Sequence, residues 1–103
     1  MSYPPNSRPG VPVIYNVTMT LADTEYSQVL PDKCLTFIVH TRDETAFRLA
    51  FETGYVATPT APYFTVPVNS RYVEPQVMNE RPPLTIYFAS ASAGKVIEIL
   101  AWS

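Results

Sequence analysis

A chain of 103 residues with a net charge of −2 holds one domain with a modest core. Only 16% of it is charged, well below an ordinary soluble domain, while 13% is aromatic and eleven residues are proline. That balance gives no argument for nucleic-acid binding by a basic patch and suggests that part of the surface is meant to be covered. The single cysteine, Cys34, excludes an intrachain disulfide. No run approaches the roughly 18 apolar residues of a membrane span. The opening Met1-Ser-Tyr-Pro-Pro-Asn-Ser-Arg-Pro-Gly10 lacks the apolar segment of a signal peptide, so the expectation is a soluble protein made in the cytoplasm. On that expectation the sequon Asn16-Val17-Thr18 is fortuitous.

Residues 1–12 carry four of the eleven prolines plus Gly10, which predicts an extended arm in place of a strand or helix. Val13–Leu21 alternates with period two: Val13, Tyr15, Val17, Met19 and Leu21 on one face, Ile14, Asn16, Thr18 and Thr20 on the other. A short strand follows over Tyr26–Leu30, then a turn at Pro31-Asp32-Lys33. Cys34–Thr41 predicts a strand with Leu35, Phe37 and Val39 inward. Ala46–Glu52 predicts another with Phe47, Leu49 and Phe51 inward and Arg48 and Ala50 outward. The polar Arg42-Asp-Glu-Thr45 between these two reads as a hairpin loop that pairs them. Gly54 breaks the run, which Tyr55–Ala57 briefly resumes.

From Thr58 to Pro83 prolines recur at 59, 62, 67, 75, 82 and 83. Here Tyr63–Val66 is a short strand, Asn69-Ser70 a turn, and Tyr72-Val73 an edge pairing, because proline cannot donate to a central ladder. Leu84–Ser90 and Lys95–Trp102 flank a small-residue turn and predict a closing hairpin, with Trp102 plugging the core. Short strands at regular spacing predict an all-β fold, an antiparallel β-sandwich or jelly-roll-like barrel over residues 13–103 preceded by the arm 1–12.

The residues offer little chemistry. His40 is the sole histidine, and no second ligand cluster accompanies it for a metal. No serine sits in a G-x-S-x-G context, and Cys34 reads as a small semi-buried residue. Ser92-Ala93-Gly94-Lys95 lacks the first glycine of a phosphate loop, lacks Ser or Thr after the lysine, and leads into a strand. Asp23, Glu25, Asp32, Asp43 and Glu44 fall in predicted loops without the spacing of a calcium loop or a clear carboxylate pair. The expectation is therefore no enzyme, no metal and no cofactor. Arginine outnumbers lysine five to two, and Arg42, Arg48, Arg71 and Arg81 interleave with Tyr55, Tyr63 and Tyr72. Arg and Tyr are enriched at protein interfaces, which sets an interface against the alternative of a mixed solvent face.

The string Leu30-Pro-Asp-Lys, Leu35-Thr-Phe-Ile-Val, Phe47-Arg-Leu-Ala-Phe, Tyr63-Phe-Thr-Val-Pro and Leu84-Thr-Ile-Tyr-Phe-Ala-Ser-Ala-Ser-Ala-Gly-Lys-Val-Ile-Glu-Ile-Leu-Ala-Trp resembles small virion proteins of tailed bacteriophages over about residues 28–103. Where such sequences commonly carry a glycine in the middle turn, this one reads Val68-Asn69-Ser70. The resemblance implies a structural protein of the virion, a capsid cement or decoration protein on the capsid surface. Its partners would be the major capsid protein and itself, as a homotrimer, with no nucleic acid and no membrane. The anchors expected on this reading are Tyr3, Pro4, Pro5, Arg8 and Pro9 in the arm, and Tyr55, Tyr63, Arg71 and Tyr72 in the body. A head–tail connector or tail-associated protein is the alternative within the same particle. A carbohydrate-binding module that stacks tyrosines on sugar rings is the alternative from a different class.

Overall fold

A computed structural model describes residues 11–60, 62–75 and 83–102 of the chain. Eight strands follow in order: β1 (Val13–Met19), β2 (Tyr26–Val29), β3 (Thr36–Thr41), β4 (Phe47–Ala50), β5 (Phe64–Val66), β6 (Tyr72–Glu74), β7 (Thr85–Ala89) and β8 (Lys95–Trp102). They form two four-stranded sheets, β1-β8-β3-β6 and β2-β7-β4-β5, and all the pairings are antiparallel. We call these sheet A and sheet B. The all-β, two-sheet expectation holds for the described residues.

Period-two strands bury one face each, and here the two buried faces meet. Met19, Phe37, Val39, Ile97, Ile99 and Ala101 from sheet A join Phe47, Leu49, Val66, Ile86 and Phe88 from sheet B in one core, with Leu30 and Cys34 from the connection between β2 and β3. Among the described residues no buried side-chain nitrogen or oxygen lacks a partner. The buried hydroxyl of Thr41 donates to the Thr45 carbonyl at 2.6 Å, and that of Ser90 accepts from the Ser92 amide at 3.0 Å.

Both expected hairpins are absent. β3 lies in sheet A and β4 in sheet B, so residues 42–46 form a corner between sheets. The closing pair behaves the same way, with β7 in sheet B and β8 in sheet A. Only β4 and β5 are consecutive in sequence and paired with each other. A five-residue polar loop suits either geometry.

Tight corners need backbone that reverses quickly. Asp23, Lys33, Glu44, Gly54, Asn69 and Gly94, one in each of six connections, take positive φ. Asn69, at φ 64°, fills the left-handed position that a glycine would otherwise serve, and Asn tolerates it better than most residues.

Two bulges explain where the simple alternation fails. The Leu35 amide donates to the Trp102 carbonyl at 2.7 Å while Thr36 is the residue in register with Trp102. Two successive residues thus face one, a β-bulge that shifts parity. Leu35 therefore points outward at 59% exposure and does not share the inward face of Phe37. At the other end of β8, the Gly94 amide donates to the Met19 carbonyl at 2.8 Å while Lys95 registers with Met19.

Further differences follow from strand ends. β1 stops at Met19, leaving Leu21 exposed, and β4 stops at Ala50, leaving Phe51 exposed. Ala50 points outward as expected but is buried by Val56, because residues 55–57 form turns that fold over the sheet and do not resume a strand. Trp102 shares the outward parity of Glu98 and Leu100 and is half-buried there, so it does not plug the core. The expected arm over residues 1–12 lies outside the described residues except for Val11 and Pro12.

Gly94 isolates backbone strain from steric crowding, since a Cβ added there would meet no atom within 4 Å although φ is +77°. Gly94→Ala is expected to lower stability by about 1–2 kcal/mol, the cost of a left-handed L-residue, measured by urea unfolding. Phe88→Ala, in the centre of the core, is expected to cost about 3–5 kcal/mol by the same measurement.

Candidate functional site: the open faces of the sandwich

The two short edge strands β5 and β6, three residues each, lie at one side of the sandwich. Phe64 registers with the buried Leu49, and Tyr72 with the buried Val39, so both rings point between the sheets. Among the described residues no further strand lies beyond them, and they stay partly in solvent, Phe64 at 55%. Tyr72 is the hub: its ring centroid is 5.8 Å from Phe37, 5.7 Å from Phe64 and 6.3 Å from Phe51. Its hydroxyl donates to Glu74 Oε1 at 2.7 Å. Burial, reinforced by that carboxylate, pushes the phenol up to about 12. Neutral at all ordinary pH, Tyr72 serves as an apolar wedge with one satisfied polar tip.

Beside this mouth an apolar hollow of about 530 Å³ is lined by Leu49, Ala50, Phe51, Tyr55, Tyr63 and Phe64, with Glu52 at its rim. One wall is the segment after β4, which folds back over the outer face of sheet B. Val56 covers the small side chains Ala50 and Ala89, flanked by Tyr55 and Tyr87. Arg48 holds the segment down: Nε donates to the Val56 carbonyl at 2.6 Å and Nη2 to Asp23 Oδ1 at 2.8 Å. Glu25 ties it from the other side by accepting from the Gly54 amide at 2.9 Å.

Sheet A has no such cover among the described residues. Across its outer face the register aligns Ile14 with Leu100, Leu100 with Ile38, and Ile38 with Val73. This is one apolar row spanning all four strands, with Ile14 65% and Val73 45% exposed. The next row is polar: Asn16 faces Glu98, which faces His40. Glu98 accepts from Arg42 Nε at 2.7 Å and pairs with His40 Nε2 at 3.0 Å. The Arg42 guanidinium, helped by His40, holds the Glu98 carboxyl below its usual range. Arg71 joins Ile14, Ile38, His40, Glu98 and Leu100 around a shallow hollow of about 370 Å³.

The corners at the far end of the sheets are stitched together by polar contacts. Lys95 Nζ donates to Asp43 Oδ2 at 2.7 Å, and the Thr45 hydroxyl donates to Asp43 Oδ1 at 2.8 Å. These lower the Asp43 carboxyl to about 2, the lysine contact acting most strongly. Burial raises the Cys34 thiol, the opposite of what a reactive nucleophile needs. Among the described residues no three His, Cys, Asp or Glu side chains gather as metal ligands.

Of the residues singled out from sequence, Tyr55 and Tyr63 line the apolar hollow and Tyr72 packs on its neighbour Phe64. Arg71 is separate from them, on the outer face of sheet A. Tyr3, Pro4, Pro5, Arg8 and Pro9 lie outside the described residues. The sequence reading missed Phe51 and Phe64 as surface groups, and it missed the Ile14–Leu100–Ile38–Val73 row. A signal for the row existed in Val96–Trp102, where only Glu98 interrupts an apolar run, as in strands covered on both faces. No protein-family model, no curated protein and no solved structure matches this chain.

Two outcomes follow from the polar contacts. Asp43 has a lowered carboxyl in the folded state, so the stabilisation from its Lys95 contact is complete above the ordinary carboxylate range and fades as pH falls toward 2. Lys95→Met should therefore differ from the parent in unfolding midpoint at pH 7, and the two curves should converge by about pH 2. Arg48 is largely covered, with a side-chain exposure of 13%, whereas Asp23 is open. Arg48→Met should cost about 1.5–3 kcal/mol in urea unfolding by stranding the Val56 carbonyl, while Asp23→Asn should cost under about 1 kcal/mol.

Proposed function

We propose that this chain is a non-enzymatic virion structural protein of the capsid cement or decoration type, which clamps neighbouring subunits of a major capsid protein and acts as an oligomer, a homotrimer on the resemblance. The strand order β1-β8-β3-β6 over β2-β7-β4-β5 supports the jelly-roll form of the sandwich, an arrangement of eight strands in two Greek keys that recurs in viral capsid domains. That architecture is also found in lectins and other classes, so fold alone does not carry the reading.

The observation that carries it is the outer face of sheet A, which no described residue covers. Sheet B covers the Ala50–Ala89 patch of its outer face with its own loop, whereas sheet A presents a continuous apolar row flanked by Arg42, Arg71, His40 and Glu98. Contiguous apolar surface rimmed by polar groups marks a protein contact. The aromatic mouth of Phe51, Tyr63, Phe64 and Tyr72 offers a second contact, and the Pro-rich residues 1–12 a third. Prolines already restrict such a segment, which lessens the entropy lost on docking.

The carbohydrate alternative wants coplanar rings. Here the Phe64 and Tyr72 planes meet at 70° and those of Phe51 and Tyr72 at 60°. These rings interlock edge to face and do not form a flat stacking platform, which favours the protein interface.

The test is sedimentation velocity on the full chain, on a variant lacking residues 1–12 and on Val73→Glu, each with and without shells assembled from the major capsid protein of its particle. Val73 is exposed on an edge strand, so its substitution should leave the unfolding midpoint nearly unchanged. The full chain is expected to sediment as an oligomer and to co-sediment with shells, and both variants to bind shells at least tenfold more weakly. A monomer that ignores shells in every form overturns the proposal and makes a glycan screen the next step.

A further inference from the structure

Four strands lie at sheet edges, and three of them are blunted. β2 has four residues, β5 and β6 have three, and β5 and β6 are each followed directly by proline, Pro67 and Pro75. Short edges next to proline are poor templates for another strand. β1 is the exception. It runs seven residues, Val-Ile-Tyr-Asn-Val-Thr-Met, with no charge and no proline, and among the described residues only β8 pairs with it.

The hydrogen-bond parity of β1 is fixed by the bulge at its end. Met19 registers with Lys95 and its carbonyl accepts from Gly94, so the odd-numbered residues of β1 turn their backbone groups toward β8. Ile14, Asn16 and Thr18 therefore turn theirs to the free edge. All three are exposed.

We infer that two copies of this chain pair edge to edge along β1, antiparallel about a two-fold axis through Asn16, joining their A sheets into one eight-stranded sheet. The segment is self-complementary in this register. Asn16 meets Asn16 of the second copy, and Ile14 and Thr18 exchange places across the axis, all three as hydrogen-bonded pairs. The closer non-hydrogen-bonded positions set Tyr15 against Val17 of the second copy, and the reverse. Tyr15 and Val17 are half-buried at the edge of the core, and the pairing covers what remains of them. With no charge on β1, the two-fold brings no like charges together. A second copy is thus the occupant that this edge fits best, since the isologous contact uses one patch twice. The inference stands apart from the virion reading and needs no shell.

Cross-linking in the full-length chain tests both the contact and its register. Cα atoms of a hydrogen-bonded antiparallel pair lie about 5.5 Å apart, inside the roughly 4.4–6.8 Å window of a disulfide. Asn16→Cys, oxidised with copper phenanthroline, should give a covalent dimer on a non-reducing gel, well above the background of the parent chain with its buried Cys34. Ile14→Cys alone should not, because its two copies would stand roughly 13 Å apart, whereas an equal mixture of Ile14→Cys and Thr18→Cys should cross-link. In sedimentation equilibrium, Asn16→Lys should weaken dimerisation at least tenfold by placing two cations on the axis. No cross-link above background for Asn16→Cys, or an equal one for Ile14→Cys alone, would overturn the pairing. So would undiminished dimerisation of Asn16→Lys.

Discussion

Each four-stranded sheet has two faces, and a chain of this length has material to cover only some of them. The shared layer of Phe37, Val39, Ile97 and Ile99 against Leu49, Ile86 and Phe88 satisfies the inner face of both sheets at once. Everything else follows from how the remaining two faces and four edges are treated. Six of the seven connections cross between sheets. That arrangement sets neighbours far apart in sequence beside each other: β8 lies between β1 and β3, and β7 between β2 and β4.

The centre of the outer face of sheet B, around Ala50 and Ala89, is covered from within. Ala50 and Ala89 are small enough to let Val56 lie directly on the sheet, and Arg48 reaches from the same face to hold the covering segment by its carbonyl. The arginine is mostly buried, yet its charge is matched by Asp23 and its donors by backbone oxygens. A buried cation without those partners would destabilise the fold. The same guanidinium therefore links the β1–β2 corner to the β4–β5 connection.

How much of this was legible in the sequence depended on range. Val13–Met19 announced itself by strict alternation, and Tyr72-Val73 by its prolines, because both signals are local. The pairing of β3 with β8 and not β4 was not legible, since Arg42-Asp-Glu-Thr45 is an equally good loop for a hairpin or a corner. Leu35 was misplaced because a bulge adds a residue without any mark in the sequence, and Phe51 because alternation does not reveal where a strand stops. Tyr55 and Tyr63 were found as surface aromatics from composition, but their shared hollow with Phe51 and Phe64 arises only when the segment after β4 folds back. Arg71 was grouped with them by proximity in the chain and belongs to a different sheet face.

The magnitudes argue for contacts used together. Burying a whole aliphatic side chain is worth about 1.5–3 kcal/mol, and Ile14, Leu100, Ile38 and Val73 are already partly covered by their neighbours. The row therefore offers on the order of 3–6 kcal/mol by that measure. Association costs about 4–15 kcal/mol in lost translational and rotational freedom. The row alone does not hold a partner firmly, and neither do three interlocked rings. Joined on one rigid body, they act differently: once the first contact forms, the next meets its partner at a high effective concentration and the association cost is not incurred again. A small sandwich that leaves several modest surfaces open is thus poorly suited to gripping a single ligand. On the virion role proposed above, it would take a place in a repeating array, where each weak contact recurs with every neighbour.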